Sequence, residues 1–241
     1  MLSKSLGYKK LKIAKIQSSK KYFLIIAFTS SIISIGISLF IPRYQDRPKF
    51  KLPDQVSLSE WRSLSSEDLS PLLQSPQNTE VSDARRYFYT SSAQDTLRID
   101  ALYINGSAVI PKSLEILNLR YSIDSLNIRH QKTIGHYALF NDQDRVYLSS
   151  CINPRGLSTV TQEQLTNNRN YYDFTPDRIA TYLLGVTYIR DNRCLFTIMS
   201  VPLEKAQISN LNNNSLDNAY QKLEKAWTNW YQKWENNFPN R

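Results

Sequence analysis

Three residues in this chain are of types that perform nucleophilic chemistry: Cys151, Arg155 four residues after it, and His136 fifteen residues before it. A cysteine attacks as its thiolate, which a nearby histidine or local positive charge stabilises. An arginine stabilises the oxyanion that forms during acyl transfer. Cys151, His136 and Arg155 are therefore a candidate catalytic set for a thiol transpeptidase or protease, although their spacing is not itself a catalytic motif.

Cys151 is also one of only two cysteines, the other being Cys194. An even cysteine count in a domain outside the cytoplasm is typical of a disulfide. Cys151 ends one predicted strand and Cys194 begins another, and neighbouring strands bring residues within bridging distance. Two unpaired thiols that pack as small apolar groups are a third interpretation. The residues alone leave the disulfide, the nucleophile and the buried thiols open.

The sequence predicts no metal site and no cofactor. The two cysteines and two histidines lack the spacing of zinc ligands, and neither a CxxC nor an HExxH motif occurs. There is no glycine-rich phosphate loop and no GxSxG nucleophile elbow. The acidic residues are scattered, so no pair of carboxyl groups is predicted to perform acid–base catalysis.

The positive charge is concentrated in a basic tail over residues 1–21. The net charge is +9, and this tail contains seven lysines and no acidic residue, which leaves +2 for everything after Lys21. A nucleic-acid-binding protein normally carries its basic excess on the folded part. We therefore predict that nucleic acid is not a partner. The lysines of the tail are Lys4, Lys9, Lys10, Lys12, Lys15, Lys20 and Lys21.

A 20-residue uncharged run over residues 22–41 follows the tail, and 14 of its residues are apolar. As a helix it would be ~30 Å long, the thickness of the hydrocarbon core of a bilayer. The run is longer than the core of a cleavable signal peptide and lacks the usual small-residue cleavage site. It predicts an uncleaved transmembrane signal anchor, with the N-terminus cytoplasmic and the rest of the chain periplasmic or otherwise extracytoplasmic. Ser30, Ser34 and Ser38 form a small-residue face suited to packing against another transmembrane helix.

The remainder divides into a Pro/Ser-rich tether and arm over residues 42–83 and an α+β domain over residues 84–239. In the arm, only Val56–Leu64 has helical spacing. The domain alternates apolar and polar residues over several short segments, which predicts a mainly antiparallel sheet with helices on one face. Thr161 or Thr159 is positioned to cap one short helix, and Thr175-Pro176-Asp177 begins another.

The last predicted element is a long amphipathic helix over residues 215–236. Its apolar residues recur at spacings of three and four, so the stripe must pack against another surface. That surface is either the protein's own sheet or a partner. The stripe comprises Leu216, Tyr220, Leu223, Trp227, Trp230 and Trp234.

Several short motifs share the pattern of one known family. They are Tyr147–Gly156 with Ser158–Thr161 and Gln164, Leu183–Gly185, Arg190–Leu203, Ala219–Trp227, and Trp230–Trp234 with Phe238–Pro239. Together they resemble the cyanoexosortase A system-associated proteins of cyanobacteria. The resemblance covers roughly residues 84–239, and its specific motifs lie after residue 134.

The resemblance implies a non-catalytic accessory role beside an exosortase. An exosortase is an integral membrane transpeptidase that processes a C-terminal sorting signal, which consists of a Pro-Glu-Pro-type (PEP-CTERM) motif, a transmembrane helix and a basic tail. The implied partners are the exosortase and its substrates. In that family the position of His136 is usually aromatic, which weakens the thiol-enzyme alternative and favours a Cys151–Cys194 disulfide. The predicted partner- or substrate-binding loop comprises Asn153, Pro154, Arg155, Gly156, Ser158, Thr159 and Thr161.

Overall fold

The computed structural model describes residues 20–33, 35–36, 50–73, 79–106, 114, 117, 119, 126–142, 144–184, 188–203 and 213–238. Within these residues, seven strands form one sheet in the order β1-β2-β3-β7-β6-β5-β4, and every neighbouring pair is antiparallel. The α+β class predicted from the sequence is confirmed. The strands are β1 Trp61–Asp68, β2 Thr79–Ser91, β3 Thr96–Gly106, β4 Asn127–Gln131, β5 Gly135–Asp142, β6 Arg145–Ile152 and β7 Arg193–Pro202.

The helices are α1 over residues 20–33 and 35–36, α2 Gln162–Tyr172, α3 Pro176–Leu183 and α4 Asn213–Glu235, with a 3-10 turn at Ser70–Leu72. The chain divides into two compact units. One unit is Met1–Asp46 with Pro176–Ile189, and it contains α1 and α3. The other is Arg47–Thr175 with Arg190–Arg241, and it contains the sheet, α2 and α4.

The sheet is buried on both faces, as the central strand β7 illustrates. Leu195 and Met199 contribute to a first core, while Cys194 and Phe196 contribute to a second core on the opposite face. Successive strand residues point to opposite sides, so an unbroken apolar run is what a doubly covered strand requires. This accounts for the nearly continuous burial of β3, β6 and β7.

Helix α4 covers the first core with the tryptophan stripe predicted from the sequence. Leu223, Trp227 and Trp230 are fully buried there, and Tyr220 and Trp234 are almost so. The residues recur every three or four positions, so they form one face of the helix. The stripe therefore packs on the protein's own sheet, which was one of the two interpretations of the sequence.

The two fully buried tryptophans of this helix differ in their hydrogen bonding. Trp230 Nε1 donates to Thr197 Oγ1 at 3.1 Å, whereas Trp227 Nε1 has no hydrogen-bond partner. Losing one partner of a buried hydrogen bond costs about 1–3 kcal/mol. We expect Trp230→Phe to lower the free energy of unfolding by roughly 1 kcal/mol more than the matched Trp227→Phe, measured by urea denaturation. Equal losses would show that the Thr197 bond contributes nothing.

The arm predicted over residues 42–83 contains part of the sheet. Trp61–Asp68 is strand β1, so the helical prediction for Val56–Leu64 is wrong. The pairing register of this edge strand shifts between Ser63 and Ser65, and Leu64 is exposed. The shift interrupts the alternation of apolar and polar residues by which a strand is identified in a sequence. Residues before β1 are held on the first core because Tyr87 and Tyr89 donate hydrogen bonds to the carbonyls of Pro53 and Val56, each at 2.8 Å.

The transmembrane prediction over residues 22–41 falls partly outside the described residues, because 34 and 37–41 are not among them. Within the described residues, no helix has both the length and the apolar character needed to cross a bilayer. Of the predicted packing face, Ser30 is exposed on α1, and its hydroxyl donates to the Ala27 carbonyl at 2.9 Å. Ser34 and Ser38 lie outside the described residues.

Candidate functional site

Cys151 and Cys194 form a disulfide, with their Cα atoms 5.7 Å apart. Cys151 lies opposite Phe196 in the β6–β7 ladder, and Cys194 is two residues before Phe196. The two cysteines are therefore a diagonal pair on one face of the sheet, buried in the second core. The bond joins the end of β6, from which the predicted binding loop departs, to the start of β7. A sulfur in a disulfide has no ionisable thiol, so this form lacks the nucleophile that a thiol transpeptidase needs.

The loop after Cys151 folds back and extends the sheet. Thr159 and Cys151 exchange backbone hydrogen bonds of 2.9 and 3.0 Å. Ser158 N donates to the Ile134 carbonyl at 2.8 Å, and His136 N donates to the Ser158 carbonyl at 2.9 Å. Ser158–Thr159 thus lies between the start of β5 and the end of β6. If β5 and β6 continued to pair in the same register, His136 would lie opposite Cys151. The backbone of Ser158–Thr159 lies between these two residues instead.

His136 instead faces His130 across the β4–β5 pair, with ring centroids 4.5 Å apart. Partial burial, and secondly the neighbouring His130, lower the pKa of His136. A lower pKa keeps the imidazole neutral at neutral pH. The three members of the candidate catalytic set are therefore in different surroundings: Cys151 in the disulfide, His136 beside His130, and Arg155 in an ion-pair network.

Gly135 makes the close approach of the returning loop possible. It has φ +104°, and a Cβ placed there would lie 2.5 Å from the Ser158 carbonyl oxygen and 2.6 Å from the Ser158 nitrogen. Only glycine adopts this conformation readily, and the opposing atoms are backbone atoms that are already hydrogen-bonded.

We expect Gly135→Ala to lower the free energy of unfolding by on the order of 2 kcal/mol, because it adds backbone strain to a steric clash. The measurement is urea denaturation followed by tryptophan fluorescence. Gly36→Ala is the matched control, since a Cβ at Gly36 meets nothing within 4 Å. If both variants lose the same stability, the Gly135 contact is not restrictive.

Part of the predicted binding loop is buried. Asn153, Ser158 and Thr159 are buried, whereas Pro154, Arg155 and Gly156 are partly exposed. The Asn153 amide donates to the Leu157 carbonyl at 2.6 Å and to Thr159 Oγ1 at 3.2 Å, which closes the loop on itself. Thr161 caps α2 in a capping box with Gln164. The strip available to a partner is therefore 154–157.

Helix α2 supports this strip through one side chain. The Asn168 amide donates to the Arg155 carbonyl at 2.8 Å and accepts from Leu157 N at 3.1 Å. Gly156 has φ +73°, and a Cβ there would clash with Asn168 and Tyr172. The glycine lets the helix and the loop approach closely, so the loop conformation is fixed from both sides.

Arg155 lies at the edge of a buried ion-pair network. Its Nε is 3.1 Å from Asp173 Oδ1, and its Nη2 is 3.1 Å from Asp191 Oδ2. The Asp173 carboxylate also accepts from Asp191 N at 2.9 Å. The Arg155 side chain is one-third exposed, while the side chain of Asp173 is only 3% exposed. Arg155 therefore ties the strip to the segments around Asp173 and Asp191 and keeps one exposed edge.

The inner half of the network is the pair Asp191–Arg193. Arg193 donates to both carboxylate oxygens of Asp191, at 2.7 and 2.5 Å, and to the Tyr103 hydroxyl at 3.2 Å. Burial is the largest influence on the Asp191 carboxyl and raises its pKa. The hydrogen bonds and charge of Arg193, with the charge of Arg155, outweigh burial and hold the pKa below its ordinary value. Asp191 is therefore ionised at neutral pH.

A small cavity opens beside this network. It is lined by loop residues, by Asn168 and Arg169 of α2, and by the two aspartates, and its volume is about 10 Å³. That volume holds about one water molecule. Arg169 Nε and Nη2 are buried without hydrogen-bond partners, and burial lowers the pKa of this arginine. The cavity is too small for a peptide substrate. A partner would therefore bind the exposed surface of the loop and not a cleft.

Sequence reasoning did not identify Asn168, Asp173 and Asp191 as supports of the loop. They are isolated polar residues, and the loop residues that they contact lie 11 to 36 residues away. Among the described residues, no cluster of three or more His, Cys, Asp and Glu is arranged to hold a metal ion. Comparison with family models, with curated proteins and with solved structures finds no match for this chain.

Proposed function

We propose that this chain is a membrane-anchored, non-catalytic accessory protein of an exosortase-type sorting system. It acts on the extracytoplasmic side by binding the exosortase or its sorting-signal substrates. The observation that carries the proposal is the Cys151–Cys194 disulfide, which removes the candidate nucleophile and fits an oxidising compartment. The motifs shared with the exosortase-associated family supply the identity of the partner.

The anchor and the topology are part of the proposal. The uncharged run over residues 22–41 supports a single membrane span, and the seven lysines before it support a cytoplasmic N-terminus. The serine face of the span is a contact for a transmembrane helix of the exosortase. The binding surface of the folded domain is the strip 154–157, with Arg155 as its polar contact.

Copurification tests the partner. The full-length chain is tagged, expressed in its native membranes, solubilised in mild detergent and isolated. We expect the exosortase to be recovered with it, and not with an unrelated single-pass protein that carries the same tag. Recovery of the exosortase with neither protein, or equally with both, would contradict the proposed function.

A matched pair of variants tests Arg155 as a partner contact. Arg155→Ala removes the exposed guanidinium, whereas Asp173→Asn weakens the same ion pair from the buried side. We expect Arg155→Ala to reduce recovery of the exosortase by about tenfold, the loss of one charge-assisted contact, and Asp173→Asn to reduce it much less. Unfolding free energies of both variants serve as the control. If recovery follows stability alone, Arg155 has only a structural role.

A further inference from the structure

Helix α3 is amphipathic, yet none of its residues is buried. Ile179, Tyr182 and Leu183 recur at the i, i+3, i+4 spacing of a single helical face, which we call the α3 apolar face. Leu183 is 70% exposed, Tyr182 47% and Ile179 39%. Asp177 and Thr181 lie on the other side of the helix. A helix with such a face normally buries it, as α4 does in the same protein.

The segment after α3 continues this exposed apolar character. Leu184 and Tyr188 are exposed, Tyr188 by 65%. Arg178 donates from Nη2 to the carbonyls of Tyr188 and Ile189, at 2.7 and 2.9 Å, which ties this segment back to the helix. Helix and segment therefore form one structural element that exposes leucine, isoleucine and tyrosine together.

The unit to which this element belongs indicates what covers it. Pro176–Ile189 forms a compact unit with Met1–Asp46 and not with the sheet. Met1–Asp46 contains the run over residues 22–41 that we propose as the membrane anchor. An element that groups with the anchor belongs at the bilayer.

The residue types of the α3 apolar face and its small area indicate that a lipid surface covers it rather than a protein. Tyrosine is enriched at the boundary between headgroups and acyl chains, and short amphipathic helices lie in that boundary with leucine and isoleucine inserted. A stable protein interface needs roughly 800 Å² from each partner, far more than three partly exposed side chains supply. A bilayer sets no such minimum, because the anchor already holds the chain at the surface.

We propose that the α3 apolar face lies in the bilayer interface beside the anchor, with Leu183 and Ile179 inserted and Tyr182 and Tyr188 at headgroup level. The ligand is therefore a phospholipid surface. This proposal rests on the anchor of the proposed function. It adds a second membrane contact to the one that the anchor provides.

The test places an environment-sensitive fluorophore on single cysteines of the full-length protein. Leu183→Cys carries the label on the apolar face, and Thr181→Cys is the matched control on the opposite side of the same helix. The two native cysteines are bonded to each other and do not react. Each labelled protein is reconstituted into vesicles of phosphatidylcholine and phosphatidylglycerol, with and without brominated phosphatidylcholine, and is titrated with iodide.

We expect the label at 183 to emit at shorter wavelength, to be quenched by brominated lipid and to be protected from iodide. The label at 181 should emit at longer wavelength, should not be quenched by brominated lipid and should be accessible to iodide. If iodide quenches the label at 183, the α3 apolar face is exposed to water, and the proposal is overturned. A label at 183 that is protected from iodide and not quenched by lipid would also overturn it, in favour of a protein that covers the face. Equal lipid quenching at 181 and 183 would contradict the interfacial orientation.

Extraction of the same vesicles with alkaline carbonate separates this proposal from the anchor. Release of the protein into the soluble fraction would show that the anchor, and with it the proposed function, fails. Retention of the protein together with an unquenched label at 183 would overturn only the interfacial placement of α3.

Discussion

Replacing Cys151 and Cys194 together by alanine is expected to lower the free energy of unfolding by about 4 kcal/mol. The bond joins residues separated by 43 positions, and it limits the conformations of the unfolded chain by closing this loop. Typical domains are stable by only 5–15 kcal/mol, so the loss is a large share of the total. The measurement is denaturant-induced unfolding of the full chain in detergent micelles, followed by tryptophan fluorescence.

Reduction of the wild-type protein provides the control for this prediction. A reductant should destabilise the wild type to the level of the double-alanine variant and should leave that variant unchanged. A wild type that is insensitive to reductant, or a double variant as stable as the wild type, would show that the bond does not stabilise the native fold.

Asp191→Asn is expected to lower the free energy of unfolding by about 3 kcal/mol at neutral pH. The substitution removes the carboxylate charge that pairs with the Arg193 guanidinium, whose side chain is only 7% exposed. Asp95→Asn is the matched control, because Asp95 forms a more exposed ion pair with Lys222. Exposed pairs contribute about 0–1 kcal/mol, so the control should lose little.

The Asp191 effect also has a predicted pH dependence. The pKa of this carboxyl is lower in the folded protein than its ordinary value. Its contribution to stability is therefore complete above the unfolded-state pKa of about 3.9 and is lost as the pH falls through the folded-state value. The difference between wild type and Asp191→Asn should be constant from about pH 5 to 7 and should shrink below about pH 4. A difference that grows on acidification would contradict the assignment of Asp191 as the ionised partner.

The elements that sequence reasoning identified correctly are those whose periodicity follows directly from burial. The strands at Cys151 and Cys194 are rich in apolar residues, and α4 has a regular apolar stripe, because each element faces a core. Strand β1 was missed because it is a serine-rich edge strand with a register shift. An edge strand buries little, so its sequence carries little alternation.

The candidate site was less predictable than the fold. Cys151 and Arg155 were visible as chemically distinctive residues, but what they contact depends on residues distant in sequence. The aspartates that pair with Arg155 lie 18 and 36 residues away. The return of Ser158–Thr159 into the sheet depends on a glycine at 135, and a glycine alone does not identify the backbone that approaches it. Such pairings are fixed by tertiary packing and leave no local pattern.

The central claim is that Cys151 is a structural residue in an accessory protein and not a nucleophile. The most direct test alkylates the protein isolated from its native cells without reductant, digests it and maps the cysteine peptides by mass spectrometry. We expect a linked peptide that contains Cys151 and Cys194, with neither residue alkylated. A free Cys151 that alkylates rapidly beside an unreactive Cys194 would contradict the account, and the segment around Cys151 would then be a candidate active site.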